Sequence, residues 1–218
     1  MLKRFFKAAL AVIFVCFSLN SFASEPVDSS DPYKLIKALA DNTFASIKAN
    51  KDKLNDSNVS RGIIRTELLP YIDNKYASLK VINQNLKQTN EEQRARFVEA
   101  FTDYIIATYA DALKKYTTQT VEVQKPNKID DNDGFISVKV FVKEEGAPDL
   151  EVIFKLRKNK KTGQWKIYDM VAEGISLLSA KQSELSGLIR DKGIDAVSKQ
   201  LNSDCLALNR LMPSATIS

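Results

Sequence analysis

The spacing of apolar residues changes along this chain of 218 residues, and that change sets the class of fold. Between residues 31 and 118 apolar side chains recur with the helical period, and between residues 120 and 171 they alternate with the period of a strand. The helical period returns from residue 176. Helices, then consecutive strands, then helices predict an α+β fold.

The middle of the chain is predicted to form an antiparallel sheet of about four strands. Turn signals separate the alternating segments at Asp133-Gly134, Gly146-Ala147-Pro148 and Thr162-Gly163. The predicted strands are residues 120–124, 135–142, 150–157 and 165–171. Strict alternation along the last of them would point Tyr168 and Asp169 to opposite faces of the sheet.

Two helices are predicted before the long central helix, with a shorter helical stretch at 73–86. Asp31 followed by Pro32 is typical of a helix start, because aspartate caps the first turn and proline suits the first helical position. Ser57 or Asn58 is expected to cap the second helix, and Pro70 to close it.

The long central helix is predicted to begin at Thr89, with Glu92 completing a capping box. Its aromatic residues are Phe97, Phe101, Tyr104, Tyr109 and Tyr116. The last helices are predicted at 176–192 and 194–201, with Gly193 as the break between them. Residues 203–218 lose the pattern and are expected to be mobile.

The first 23 residues are predicted to be a cleaved secretory signal peptide. Lys3, Arg4 and Lys7 precede an apolar run over residues 8–19, and small residues lead to a cleavage site after Ala23. The run is shorter than the roughly 20 residues that span a bilayer. We therefore expect residues 24–218 to be exported as a protein without an anchor.

Composition excludes several classes of function. The net charge of +5 includes three basic residues of the predicted leader, and no basic block with interleaved aromatics remains, which argues against nucleic acid as a partner. The chain has no histidine, so histidine-assisted catalysis and histidine metal sites are excluded. Once Cys16 leaves with the leader, Cys205 has no partner for an internal disulfide. We expect no catalytic residues, metal ligands or cofactor.

Four segments carry a resemblance to a known family. They read LLPYID at 68–73, WKIYDM at 165–170, EGIS at 173–176 and KGIDAV at 192–197. In this order and at these distances they resemble the MlaC-type periplasmic phospholipid-binding proteins, also called the toluene-tolerance auxiliary family, over about residues 31–201. Ala196 and Val197 depart mildly from the family pattern, which often has glycine or leucine there.

The resemblance implies a nuclear-transport-factor-2-like sheet joined to a helical subdomain, with an apolar pocket between them. We expect one lipid-binding domain over 24–202, helical to 118, a sheet over 119–172 and helical again over 173–202. The implied role is a monomeric periplasmic carrier whose cargo is phospholipid. It would shuttle lipid between an outer-membrane lipoprotein–porin complex and an inner-membrane ABC transporter with its substrate-binding ring protein, and so maintain outer-membrane lipid asymmetry.

Period and motif position together suggest which residues line the pocket for the lipid tails. The hypothesised lining is Leu69, Tyr76, Phe101, Tyr104, Ile105, Val138, Val140, Val152, Phe154, Leu156, Trp165, Ile167 and Met170. Period alone does not distinguish a residue that lines a hollow from one that fills a core.

Two other functions stay open on the sequence. A periplasmic adaptor or chaperone would have a filled core and an exposed apolar patch for protein partners. An enzyme would have to use Asp169 beside Tyr168. The basic run at 157–161 fits a solvated turn, and a contact with an anionic surface is the alternative.

Overall fold

The computed structural model describes residues 27–114, 118–129 and 133–210, so the predicted signal peptide lies outside the described residues. In these ranges the α-helices are α1 (Pro32–Ala49), α2 (Ser57–Ile63), α3 (Asn74–Ile82), α4 (Glu91–Leu113), α5 (Leu177–Lys192) and α6 (Ile194–Arg210). The strands are β1 (Thr120–Val123), β2 (Phe135–Lys143), β3 (Leu150–Lys158), β4 (Trp165–Ala172) and β5 (Ile175–Ser176).

The strands form one antiparallel sheet in the order β1-β2-β3-β4-β5. This confirms the α+β class and the antiparallel sheet. The sheet has one short strand more than the four expected. β5 holds only two residues and pairs with the end of β4, so its alternation is too brief to be recognised in the sequence. Gly174, with φ of 78°, makes the tight turn between the two strands.

A β-bulge interrupts the pairing of β3 with β4. Lys155 pairs with Asp169 and the next residue, Leu156, pairs with Ile167, so Tyr168 is the extra residue and has no partner on β3. The bulge reverses the alternation for the rest of β4. Strict alternation would place Met170 and Ile167 on opposite faces of the sheet. Because of the bulge, both lie on the same face.

The same bulge makes one sequence expectation wrong. The Tyr168 ring lies 5.8 Å from the ring of Phe135, whose strand partner is Arg157. The Asp169 carboxylate lies 3.2 Å from the Lys155 amine. Lys155 and Arg157 are two residues apart on β3 and share a face. Tyr168 and Asp169 therefore lie on one face, which we call the outer face.

The opposite face, here the inner face, packs against α1. Tyr33, Leu35, Ile36 and Leu39 of α1 form a buried cluster with strand residues, which we call the sheet core. Its strand members are Val138, Val140, Leu156, Trp165 and Ile167. Ile72 adds a bridge to Ile167, and the Asp73 amide donates to the Ile167 carbonyl at 2.7 Å.

The helices build three further cores away from the sheet, one of them a small cluster of Ile47, Leu54 and Ile63. The helical core joins α3, α4, α5 and α6 through Val81, Ile82, Phe97, Ala100, Phe101, Leu185, Ile189, Ile194, Val197 and Leu201. The second half of α4 contributes Ile106 and Ala110 to a smaller cluster with Ile64, which we call the α4 core. The molecule is thus a sheet unit under α1 joined to a helical unit.

The start of α1 is as predicted, and two other caps differ by one residue. The Asp31 carboxylate accepts hydrogen bonds from the amides of Tyr33 and Lys34. Asp56, rather than Ser57 or Asn58, caps α2.

In α4 the capping box is Asn90 with Gln93, so the prediction of Thr89 with Glu92 is wrong. The Thr89 hydroxyl instead donates to the Leu86 carbonyl at 2.9 Å and closes the preceding turn.

Two helix ends also differ from the sequence expectations. Helix α2 ends at Ile63, well before Pro70, and the chain continues as a π-turn over Ile64–Leu68 and a 3₁₀ turn over Leu69–Tyr71. Helix α6 runs to Arg210, so the expectation of a patternless tail is wrong for residues 203–210. Cys205 is buried there. Residues 211–218 lie outside the described residues.

Replacing Asn90 with alanine tests the corrected cap of α4. The change removes the acceptor for the Gln93 amide, and we expect the free energy of unfolding to fall by about 1 kcal/mol in urea denaturation. Glu92→Ala is the control, because the Glu92 side chain is 87% exposed and meets Arg96 only at 3.9 Å. A larger loss for Glu92→Ala than for Asn90→Ala would contradict the assignment.

Candidate functional site

The inner face of the sheet is covered by α1 over only part of its area. Leu156, under α1, is fully buried, whereas Phe154 on the same strand and face stays partly exposed. Its cross-strand partner Met170 is also partly exposed. Phe154 packs against the sheet core and, like Met170, keeps part of its apolar surface exposed on the inner face.

The 3₁₀ turn and the second half of α4 supply further partly exposed apolar side chains. Leu68 packs against both the sheet core and the α4 core, so it joins the two units. Leu69, Tyr109 and Leu113 pack against the α4 core and keep part of their surface exposed. These residues form a candidate wall on the helical side.

Tyr109 links this wall to β4. Burial, together with the charge of the Asp169 carboxylate, raises the pKa of Tyr109 to about 12. This effect places Tyr109 within electrostatic range of β4, at a residue of its outer face. Tyr109 is also partly accessible. Tyr109 is therefore a candidate for the border of a hollow, together with the partly exposed residues Phe154 and Met170.

Asp169 stabilises the junction of β4 and α5 at the edge of this candidate hollow. Its carboxylate accepts hydrogen bonds from the Ser176 hydroxyl at 2.8 Å and the Leu178 amide at 3.0 Å, which fixes the start of α5 against β4. It also accepts from its neighbour, the Met170 amide, at 2.8 Å and pairs with Lys155. With these partners and a side chain 3% exposed, Asp169 has a structural role and does not reach a substrate.

Several residues of the hypothesised lining pack in closed cores. Val138, Val140, Leu156, Trp165 and Ile167 are buried in the sheet core. Val152 is buried on the same face. Phe101 is buried in the helical core, where its ring stacks on Phe97 at 5.7 Å. These residues therefore belong to the packed cores behind the proposed lining.

The remaining lining candidates divide between three places. Phe154, Met170 and Leu69 keep part of their surface exposed and stay candidates for the lining. Ile105 and Tyr104 are partly buried against the helical core, and the Tyr104 hydroxyl accepts a hydrogen bond from the Lys181 amine at 3.0 Å.

Tyr76, by contrast, lies on the outer face. Its ring meets Tyr168 edge-on at 5.4 Å, and the Arg157 guanidinium lies 4.2 Å from its centre. Asp73, which caps α3, holds that guanidinium at 2.6 Å. We therefore leave Tyr76 out of the proposed lining.

Sequence reasoning missed Leu68, Tyr109 and Leu113. Tyr109 and Leu113 follow Ile105 at intervals of four residues, so all three lie along one side of α4. That spacing was a usable signal. Leu68 carried none, because a π-turn shifts the direction of its side chain relative to a regular helix.

A separate groove between α4 and α6 is too polar for lipid tails. Its volume is about 600 Å³. It is lined by Arg96, Glu99, Ala100, Asp103, Asp195, Ser198, Lys199 and Asn202. Arg96 and Asp195 pair across it at 2.8 Å, and the Gln93 amide also donates to Asp195, so its polar groups are largely satisfied within the protein.

Within residues 27–114, 118–129 and 133–210, no cluster of three or more acidic, cysteine or histidine side chains could hold a metal ion. Over the same ranges, no helix combines the length and the apolar character needed to cross a membrane.

The raised pKa of Tyr109 predicts a loss of stability at high pH. In the unfolded chain a tyrosine ionises near pH 10, whereas Tyr109 in the fold stays protonated to about pH 12, so the folded state binds the extra proton in this interval. The free energy of unfolding should therefore fall as pH rises from 10 to 12, by about 2 kcal/mol from this residue. Denaturation of Tyr109→Phe should show a correspondingly shallower fall. Equal slopes for both proteins would contradict a buried phenol.

Comparison with known proteins identifies the family of the chain. The family model described as "MlaC protein" matches residues 37–203. The intermembrane phospholipid transport system binding protein MlaC of Haemophilus influenzae is 34% identical over 198 residues, which cover 90% of each chain. The toluene tolerance protein ttg2D of Pseudomonas putida is 24% identical, over 90% of this chain and 84% of its own.

A solved structure has the same fold. It is a phospholipid-binding protein from Ralstonia solanacearum, determined in complex with a phospholipid. The match has a TM-score of 0.71 at 22% identity and covers 83% of this chain and 98% of the other. The family model spans most of the chain, and the Haemophilus relative matches almost its whole length. The chain therefore belongs to the MlaC family.

Proposed function

We propose that this chain is a phospholipid carrier that holds the acyl tails in the hollow between the inner face of the sheet and α4. The observation that carries the proposal is Tyr109, which is both deep in the molecule and accessible. Phe154, Met170, Leu68 and Leu69 supply further apolar surface. An apolar hollow with few polar groups suits hydrocarbon tails.

The energy of exposed tails explains why a carrier is needed. Each methylene group that leaves an apolar environment for water costs about 0.8 kcal/mol, so two long tails cost on the order of 20 kcal/mol. A lipid crossing water unaided would carry this cost as a barrier. A protein that covers the tails removes most of it, and the polar head group can remain in solvent.

We further propose that the carrier works in the periplasm after removal of the leader at 1–23. Its partners would be an inner-membrane ABC transporter with a substrate-binding ring protein and an outer-membrane lipoprotein–porin complex. Transfer between them would maintain the lipid asymmetry of the outer membrane. The name of the Haemophilus relative supports a transport role, and no residue in the proposal acts as a catalyst.

An adaptor without lipid is the competing function, and the described surface favours it less. Such a protein needs a contiguous exposed apolar patch. The strongly exposed large apolar residues of the described ranges are Phe135, Ile175 and Leu206, which lie on β2, β5 and α6. β2 and β5 are not neighbours in the sheet, and α6 belongs to the helical core. The three residues therefore do not form one surface.

Lipid extraction tests the function directly. We expect organic extraction of the purified protein, followed by mass spectrometry, to recover phospholipid in a stoichiometric amount. Buffer taken through the same purification serves as the control for carried-over membrane. Protein free of lipid, and unable to take up phospholipid from vesicles, would support the adaptor instead.

Replacing Phe154 with aspartate tests the position of the tails. The change puts a charge on the partly exposed inner face, and we expect the amount of co-purified phospholipid to fall at least fivefold, because burying an unpaired carboxylate against a tail is costly. Phe141→Asp is the matched control. Phe141 is also partly exposed but lies on the outer face, where its strand partner is Glu151.

We expect the Phe141→Asp protein to keep its lipid, and circular dichroism should show that both variants are folded. A folded Phe154→Asp protein with normal lipid content would contradict the proposed location.

A further inference from the structure

The hairpin of β4 and β5 carries an exposed apolar residue at the edge of the sheet. Ile175 belongs to the segment EGIS at 173–176 and is 60% exposed, although it lies in a strand. The exposure of one apolar residue is common and assigns no role by itself. The role of Ile175 has to be inferred from its position on the sheet.

The pairing of the strands places Ile175 on the inner face. Val152, on the inner face, pairs with Ala172 of β4, and Ala172 pairs in turn with Ile175. Residues directly opposite each other in an antiparallel sheet point to the same side. Ile175 therefore extends the inner face beyond Ala172. Met170 lies two residues before Ala172, so it is a diagonal neighbour of Ile175 at about 7–8 Å.

The hairpin that carries Ile175 is held in place from the outer face. The hydroxyl of the next residue, Ser176, donates to the Asp169 carboxylate at 2.8 Å and also caps α5. The two turn residues, Glu173 and Gly174, both have positive φ, of 51° and 78°, as in the tight turns that join two strands. These restraints fix the direction of the Ile175 side chain and leave it uncovered.

An acyl tail is the occupant that suits this position. The inner-face residues at this end of β3, β4 and β5 are all apolar, namely Leu150, Val152, Phe154, Met170, Ala172 and Ile175. A hydrocarbon chain gains from contact with such a surface, whereas a polar ligand finds no hydrogen-bonding side chain on it. Because β5 is the outermost strand, a tail that lies on Met170 meets Ile175 where the sheet ends.

We propose that Ile175 covers the part of a bound tail that lies at the edge of the sheet and thereby slows the release of the lipid. The inference rests on the proposed function and deepens it, since it assigns a residue that controls how long the cargo stays bound. Contact with the tail removes the exposed surface of Ile175 from water, and release returns that surface to water. Loss of an interface contact appears mainly in the rate of dissociation.

The rate of lipid release tests the inference. Protein loaded with tritium-labelled dioleoyl phosphatidylethanolamine is mixed with an excess of sucrose-filled phosphatidylcholine vesicles, and the label in the pelleted vesicles is counted over time. We expect Ile175→Thr, which keeps the β-branched shape, to release lipid about 3- to 10-fold faster than the wild-type protein, because the contact loses much of its apolar area. Ile175→Val, which lacks one methylene group, should change the rate by only about twofold.

Phe135→Thr is the matched control. Phe135 is 58% exposed, almost as much as Ile175, but it lies on the outer face, where its strand partner is Arg157. This variant should release lipid at the wild-type rate, and urea denaturation should show that all the variants are folded.

Release from Ile175→Thr at the wild-type rate would overturn the inference alone. Slower transfer by this variant would also overturn it, because the exposed side chain would then act by contacting the acceptor membrane. A wild-type protein that takes up no phospholipid would overturn the proposed function, and this inference with it.

Discussion

The limited width of one helix is the constraint on which the rest of the structure depends. An α-helix with its side chains is about 10 Å across, whereas adjacent strands lie about 4.8 Å apart, so four strands span roughly 15 Å between their axes. Helix α1 covers the sheet core and leaves the Phe154–Met170 pair partly exposed. Apolar surface left in this way needs another cover. In the proposed function, a lipid tail supplies this cover.

The β-bulge in β4 adapts the sheet to this arrangement. By adding Tyr168, it places Met170 on the inner face and Asp169 on the outer face, where the carboxylate can cap α5. One extra residue thus supplies apolar surface to the hollow and an anchor for the helical unit. The Asp73–Arg157 pair and the Ile72–Ile167 bridge make a second attachment between the units. These contacts fix the sheet unit against the helical unit.

Much of the fold could be predicted because helices and strands impose different periods on apolar residues. The start of α1 at Asp31, the four main strands and the break at Gly193 follow from local patterns. The bulge could not be predicted, since a single added residue leaves a plausible alternation on either side. The capping box was placed one residue early because Thr89 and Asn90 are both good caps, and only the structure shows that Thr89 bonds to Leu86.

The site was harder to predict than the fold for a physical reason. Val138 and Phe154 are cross-strand partners on the same inner face, with the same apolar character, yet α1 covers one and leaves the other accessible. Sequence period identifies the face, and only the position of α1 decides which part of it is filled. The family resemblance implied a pocket, and it did not indicate which residues would border it.

The contact between Met170 and a bound tail is the most direct test of this account. Protein with a ¹³C-labelled methyl group at Met170 would be loaded with phospholipid and examined for nuclear Overhauser effects from acyl methylene protons, with a deuterated-tail lipid as the reference. The account predicts strong effects that disappear with the deuterated tails. A stoichiometrically bound phospholipid that gives none would contradict a tail site on the inner face of the sheet.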